Sequence, residues 1–189
     1  MFVDGENFRH SIVELFPDKF HQEDYLPKSA NWGELFDWIV AQSTDGVGKR
    51  IRTYWYVTKE IDFFPYNYNF PETKEPYDPN DNNIKDRLTF LYKILCHHEP
   101  YQNELSKYEG LPLLKKMQEC STELKERQSS MQRRFNGWGT VHNGISLGHK
   151  SIEFRRAGAI SYDLFTCDLG KEKAVDVQLA TDLIKLSGI

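Results

Sequence analysis

From Ile84 to Phe135 apolar side chains recur three and four residues apart, whereas the residues before and after that stretch fall into short β-branched and aromatic runs. Helices in the middle and strands at both ends require a sheet assembled from distant parts of the chain. Ile84, Leu88, Leu91 and Leu95 mark one helix, and Leu114, Met117, Ser121, Leu124, Gln128, Met131 and Phe135 mark another. They join near Pro100 and bend near Gly110-Leu111-Pro112. Neither carries the caps or length to stand alone, so the spacing predicts an antiparallel helical hairpin, residues 84–136, inserted within one domain covering 1–189. A chain of 189 residues suffices for one α/β domain and falls short of two full-sized ones.

The flanks supply the sheet. Residues 1–8 open as an apolar strand that breaks at Asp4-Gly5, and Phe8 to Phe16 read as helical turns stopped by Pro17. Asn31 followed by Glu34 is a capping pair, predicting a helix over 32–42 that ends at Asp45-Gly46-Val47-Gly48. Ile51 to Thr58 is a second strand. Residues 59–83 read as a long loop whose aromatics, Phe63, Phe64, Tyr66, Tyr68, Phe70 and Tyr77, either pin it to its own domain or stack on unpaired bases. After Gly137-Trp138-Gly139 the pattern predicts strands at 140–146, 151–156 and 162–166, then an amphipathic helix over 174–186.

Charge and cysteine usage narrow the function classes. Twenty-four basic and 28 acidic residues leave a formal net charge of -4, which argues against a broad electrostatic grip on nucleic acid. A metal held by acids still permits an anionic substrate. Cys96, Cys120 and Cys167 are odd in number and widely spaced, so neither a disulfide framework nor a zinc site is indicated. His10, His21, His97, His98, His142 and His149 show no metal-ligand spacing. No apolar run reaches the roughly 18 residues of a membrane span, and no export signal is evident, so a cytoplasmic protein with no membrane association is expected.

Two segments carry candidate chemistry. Phe2-Val3-Asp4-Gly5-Glu6-Asn7 delivers a carboxylate and an amide at the carboxyl end of a strand, where ligands bind in parallel α/β sheets, although Asp-Gly is also a common turn pair. Lys173-Ala174-Val175-Asp176-Val177-Gln178-Leu179-Ala180-Thr181-Asp182 opens the last helix, with Lys173 and Asp176 where anions and acidic caps are favoured.

Taken together the two segments resemble the NYN domain family of the PIN-like nuclease superfamily. Its opening Asp-Gly-x-Asn is matched by Asp4-Gly5-Glu6-Asn7, and its later Lys-x-Val-Asp-Val-x-Leu-Ala-x-Asp by Lys173 to Asp182. Arg52-Thr53-Tyr54-Trp55-Tyr56 is similar to the family's second strand, and the hairpin at 84–136 is additional to it. The resemblance implies a PIN-like, Rossmannoid parallel sheet flanked by helices, and a ribonuclease hydrolysing RNA phosphodiester bonds through Mg²⁺ or Mn²⁺.

Carried over position by position, Asp4 and Asp176 become metal ligands and catalytic residues, while Asn7 and Lys173 meet the substrate. Asp182 is a further catalytic candidate. Six residues of helix place it about 9 Å along the axis and about 120° around from Asp176, so it is expected behind the ligands or on the substrate side. RNA is the implied partner, with a protein partner or self-association through the helical insertion as a further expectation. The family continues to a Ser-Gly-Asp motif, whereas this sequence ends at Ser187-Gly188-Ile189. The expectation is therefore of a fragment lacking its C-terminal strands, and the alternative of a non-catalytic PIN-like module that binds RNA or protein stays open.

Overall fold

The computed structural model describes residues 1–15, 26–71 and 81–187. Among them run β1 (Phe2–Asp4), α1 (Gly5–Leu15), α2 (Trp32–Ser43), β2 (Thr53–Phe64), α3 (Asn82–Leu95), α4 (Glu99–Leu105), α5 (Gly110–Gly148), β3 (Ile152–Asp163), β4 (Asp168–Lys173) and α6 (Val175–Ser187). The helix stop at Phe16-Pro17 and the loop aromatic Tyr77 lie outside the described residues.

The protein is α/β, with one four-stranded mixed sheet in the order β1-β2-β3-β4. β1 lies parallel to β2, pairing Phe2 with Tyr54, Val3 with Trp55 and Asp4 with Tyr56. The Thr53 N–H donates to Ser151 O at 2.8 Å and the Leu164 N–H to Phe64 O at 2.6 Å, so β2 and β3 start together and end together, and are parallel too. β4 returns beside β3 after a tight turn at 164–167.

The chain divides into two compact units, one of residues 1–62, 133–161 and 171–189, the other of 63–132 and 162–170. The expected insertion at 84–136 thus differs from the second unit, which begins at Phe63, ends its long run at Gln132 and also takes in 162–170.

In the first unit successive strand residues point to opposite faces, and each face has its own cover. Val3, Trp55, Val57 and Ile152 join Trp32 and Phe36 of α2 and Val141 and Ile145 of α5 in one core. Trp55 is its centre, with ring centroids of Phe8, Trp32 and Phe36 at 5.3, 5.4 and 5.3 Å edge-on and Phe154 stacked at 4.8 Å. Each such pair adds about 0.5–1.5 kcal/mol beyond burial. On the opposite face Tyr56, Ala157 and Val175 pack with Phe2, Tyr54 and Leu179. α2 begins as its capping pair requires: Asn31 Oδ1 accepts the Glu34 N–H at 3.2 Å, and Asn31 Nδ2 donates to the Glu34 carboxylate at 2.7 Å. Arg50, with its side chain only 4% exposed, donates to Asp37 Oδ1 (2.8 Å), Gly33 O (3.1 Å) and Ser151 Oγ (3.0 Å), tying α2 to the residues that precede β3.

The second unit is held by the residues that gave the helical spacing and by part of the aromatic loop. Leu88, Leu91 and Leu95 are buried along α3, and Met117, Cys120, Leu124 and Met131 along α5. Ser121 Oγ donates to Tyr68 O and accepts from the Phe70 N–H, both at 2.9 Å, and Arg127 donates to Leu164 O and Phe165 O at 2.8 Å. Phe63 and Tyr68 are buried within their own unit, whereas Tyr66 is 62% exposed.

Three sequence expectations are corrected. The strand predicted at 140–146 is helix, because α5 runs unbroken through Gly137-Trp138-Gly139. Two glycines cost a helix about 1 kcal/mol each, but Val141 and Ile145 continue the buried stripe and keep it helical. The second strand extends to Phe64, into the stretch read as loop. The strand predicted at 162–166 is instead the end of β3 and the turn into β4.

Candidate functional site

Asp4 is the last residue of β1, and the chain passes from it directly into α1. Its Oδ1 accepts the backbone N–H of Glu6 (3.1 Å) and Asn7 (3.0 Å), and its Oδ2 accepts from Asn7 Nδ2 at 2.7 Å. The carboxylate therefore caps α1, and Asn7 holds it in place. Gly5 makes this transition possible, since a Cβ there would meet Val57 Cγ1 at 2.8 Å, Trp55 Nε1 at 3.0 Å and Tyr56 O closer still. Glu6, one residue on, is held by Arg9 through bonds of 3.1 and 2.6 Å, with the His10 ring 3.1 Å from its Oε1.

The second half of the site comes from the β4–α6 joint. Gly158 on β3 sits against it at φ +64, and a Cβ there would lie 3.0 Å from Lys173 C, 3.1 Å from Val175 N and inside contact distance of Lys173 O. Ala174 takes φ +70, a left-handed conformation that costs an L-residue about 1–2 kcal/mol. After that bend the Gln178 N–H donates to Ala174 O at 3.2 Å, which starts α6 and places Asp176 in its first turn. Lys173 and Asp176 are exposed there, and Glu172 is half-buried with its carboxyl bonded to the Thr58 hydroxyl.

Electrostatics joins the two halves. Burial pushes the Glu172 carboxyl above its ordinary pKa, and the charges of Glu6, Asp4 and Asp176 add to that rise against the Thr58 hydrogen bond. Glu172, on β4, thus feels the charges of three further carboxylates, from β1, α1 and α6. Among the described residues no three His, Cys, Asp or Glu side chains are gathered tightly enough to hold an ion by themselves. The donor chemistry fits a hard divalent cation all the same, because Mg²⁺ keeps several waters and takes only one or two carboxylates beside substrate phosphates.

Of the residues picked from the sequence, the fold gathers Asp4, Asn7, Lys173 and Asp176 at this edge, and it sends Asp182 elsewhere. Asp182 is 7% exposed beneath α6, where it accepts from Arg155 Nη1 (2.5 Å), the Tyr56 hydroxyl (2.9 Å) and Gln178 Nε2 (3.0 Å). The Arg155 guanidinium also lies 4.1 Å from the Tyr54 ring centroid. The Arg155 hydrogen bond first, then that from Tyr56, hold the Asp182 carboxyl below its ordinary pKa. Burial and Asp182 push the Tyr56 phenol up to about 12. Asp182 thus anchors α6 on β2 and bonds Tyr56, the residue paired with Asp4, a place behind that edge rather than on it. Sequence reasoning missed Glu6 and Glu172. Glu6 stood inside the quoted motif at its variable position, and Glu172 was hidden because β4 was not recognised as a strand.

Among the described residues no helix is long and apolar enough to cross a membrane. Comparison of the chain with protein-family models, with curated proteins and with solved structures returns no match.

Proposed function

We propose that the chain is a metal-dependent ribonuclease of the NYN type on a PIN-like sheet, acting at the edge formed by Asp4, Glu6, Glu172 and Asp176. The observation that carries this reading is the placement of Asp4 at the end of β1 and Asp176 in the first turn of α6, with Glu6 and both of them close enough for their charges to act on Glu172, an acidic setting that suits a divalent cation. Asp4 and Asp176 would hold the cation, which supplies an activated water and charge stabilisation at the phosphate when bound. Asn7 fixes the Asp4 carboxylate through its 2.7 Å bond. Lys173, exposed beside Asp176, offers an ammonium to a neighbouring phosphate. Asp182 acts at a distance, holding Tyr56 and α6 so that Asp4 and Asp176 face the same edge.

A second reading, a PIN-like module that binds RNA or a protein without cutting, draws on the lack of a three-carboxylate group among the described residues. Calorimetric titration of Mn²⁺ separates the two. The nuclease reading expects binding that Asp4→Asn abolishes, and because asparagine caps a helix as well as aspartate, α1 should survive the change. Equal heats from the unaltered and Asp4→Asn chains would favour the binding module.

A further inference from the structure

Beside Trp55 the first unit has a hollow of about 50 Å³, whose lining includes Glu6, Arg9, His142, Arg156 and Glu172. A cavity that takes benzene measures about 150 Å³, so this one seats no base, and what it offers a nucleotide is the charge along its rim. Its inner wall is closed by His142, stacked on Phe154 at 4.6 Å. The two arginines differ. Arg9 is held by Glu6 through bonds of 3.1 and 2.6 Å. Arg156, on β3, is exposed and bonds only neutral groups among the described residues: its Nη2 donates to Asn143 Oδ1 at 3.2 Å and to Gly139 O at 3.4 Å. Its Nε and Nη1 have no partner among the described residues. Gly139 makes room for this pose, since a Cβ there would lie 3.1 Å from Nη1 and 3.4 Å from Nη2. The guanidinium is therefore held against α5 while its charge stays uncompensated. It also stands near the carboxylate edge. Gly158, two residues further along β3, packs on Lys173 O, so Arg156 is within about 7 Å of strand from the joint that carries Lys173 and Asp176.

We propose that Arg156 binds a backbone phosphate of the RNA strand, flanking the phosphate at the carboxylate edge. A strand crossing this rim meets the like charges of Glu6 and Glu172 and needs a cation to hold it there. A guanidinium with unused N–H donors matches phosphate oxygens in both charge and geometry. In a chain of net charge -4 no broad basic surface shares the task, so one placed arginine carries a measurable part of the grip. The inference rests on the ribonuclease reading for its substrate class.

The test is fluorescence anisotropy of the chain with an end-labelled single-stranded RNA of about ten nucleotides, in EDTA, over about 50 to 200 mM salt. Arg156→Gln should weaken binding about tenfold at the lowest salt, the effect of losing one charge-assisted hydrogen-bonded contact. The plot of log affinity against log salt should become shallower by about 0.7, the share of one phosphate on a single strand. Arg156→Lys keeps a cation and should keep the slope. Lys49→Gln removes another exposed charge, ahead of β2 and so at the opposite end of the strands from Asp4, and should leave the slope unchanged. An unchanged slope in Arg156→Gln, an equal loss in Lys49→Gln, or no RNA binding by the unaltered chain would each overturn the proposal. Arg156 is exposed, so its variants should melt with the unaltered chain. Because metal is chelated, the result does not depend on cleavage. Cutting in Mn²⁺ with an unchanged Arg156→Gln slope would sink the contact and leave the nuclease standing, and Arg156-dependent binding without cutting would do the reverse.

Discussion

Replacing Gly158 by alanine tests how the β4–α6 joint is built. At φ +64 a Cβ costs about 1–2 kcal/mol from local sterics alone. The same Cβ would lie 3.0 Å from Lys173 C and 3.1 Å from Val175 N, with the Lys173 oxygen nearer, so backbone rather than a flexible side chain must give way. Forcing atoms into packed space costs about 1–3 kcal/mol, for a total of about 2–5 kcal/mol. In a domain of this size that lowers Tm by roughly 4–20 °C. Gly46 provides the control, since it holds φ +79 with nothing within 4 Å of its Cβ position, and Gly46→Ala should show only the local strain. Thermal unfolding by circular dichroism reads both. Gly158→Ala should melt below Gly46→Ala and also weaken Mn²⁺ binding, because Glu172, Lys173 and Asp176 flank the displaced carbonyl. Equal melting of the two variants would refute the argument that close packing at Lys173 sets the joint.

Other perturbations report on the site and its support. Glu172 has a raised pKa in the fold, so its contribution to stability is full below the ordinary glutamate value of 4.5 and is lost as pH rises through the folded value. Glu172→Gln should therefore raise Tm at pH 7 without metal, with the gain vanishing near pH 4; a gain independent of pH would contradict the carboxylate repulsion. His142 is pushed down to about 4 by burial, and secondarily by Arg156, so it favours the fold above its ordinary 6.5 and this contribution falls away as pH drops toward 4. An NMR titration should find one imidazole with a midpoint near 4, and a normal midpoint for every histidine would count against the buried stack on Phe154. Asp182→Asn should lower Tm by weakening the Arg155 and Tyr56 contacts and should weaken Mn²⁺ binding less than Asp4→Asn does, since it reaches Asp4 only through Tyr56. A loss of Mn²⁺ affinity as large as that of Asp4→Asn would return Asp182 to the metal site.

The elements legible in the sequence were those with local causes. Asn31 and Glu34 announced α2 by capping, and the stripe Leu88, Leu91, Leu95 announced α3 by burial. α5 was cut short because two glycines outweigh a helical pattern locally, and only the sheet face that buries Val141 and Ile145 restores it. β4 was illegible for a different reason. Asp168–Lys173 is mostly charged and exposed, so hydrogen bonding to β3 rather than side-chain pattern makes it a strand. The site divides along the same line. Asp4, Asn7, Lys173 and Asp176 stand out by residue type at strand and helix ends, whereas the parts played by Glu172 and Asp182 depend on contacts with Thr58, Tyr56 and Arg155 far away in sequence.

Cleavage of an end-labelled, single-stranded RNA containing all four bases, compared in Mn²⁺ and in EDTA, tests the central claim most directly. The account predicts cutting in Mn²⁺ only, and its loss by a factor of at least about 100 in a folded Asp4→Asn chain. Cutting that persists in EDTA, or that survives Asp4→Asn unchanged, would contradict it.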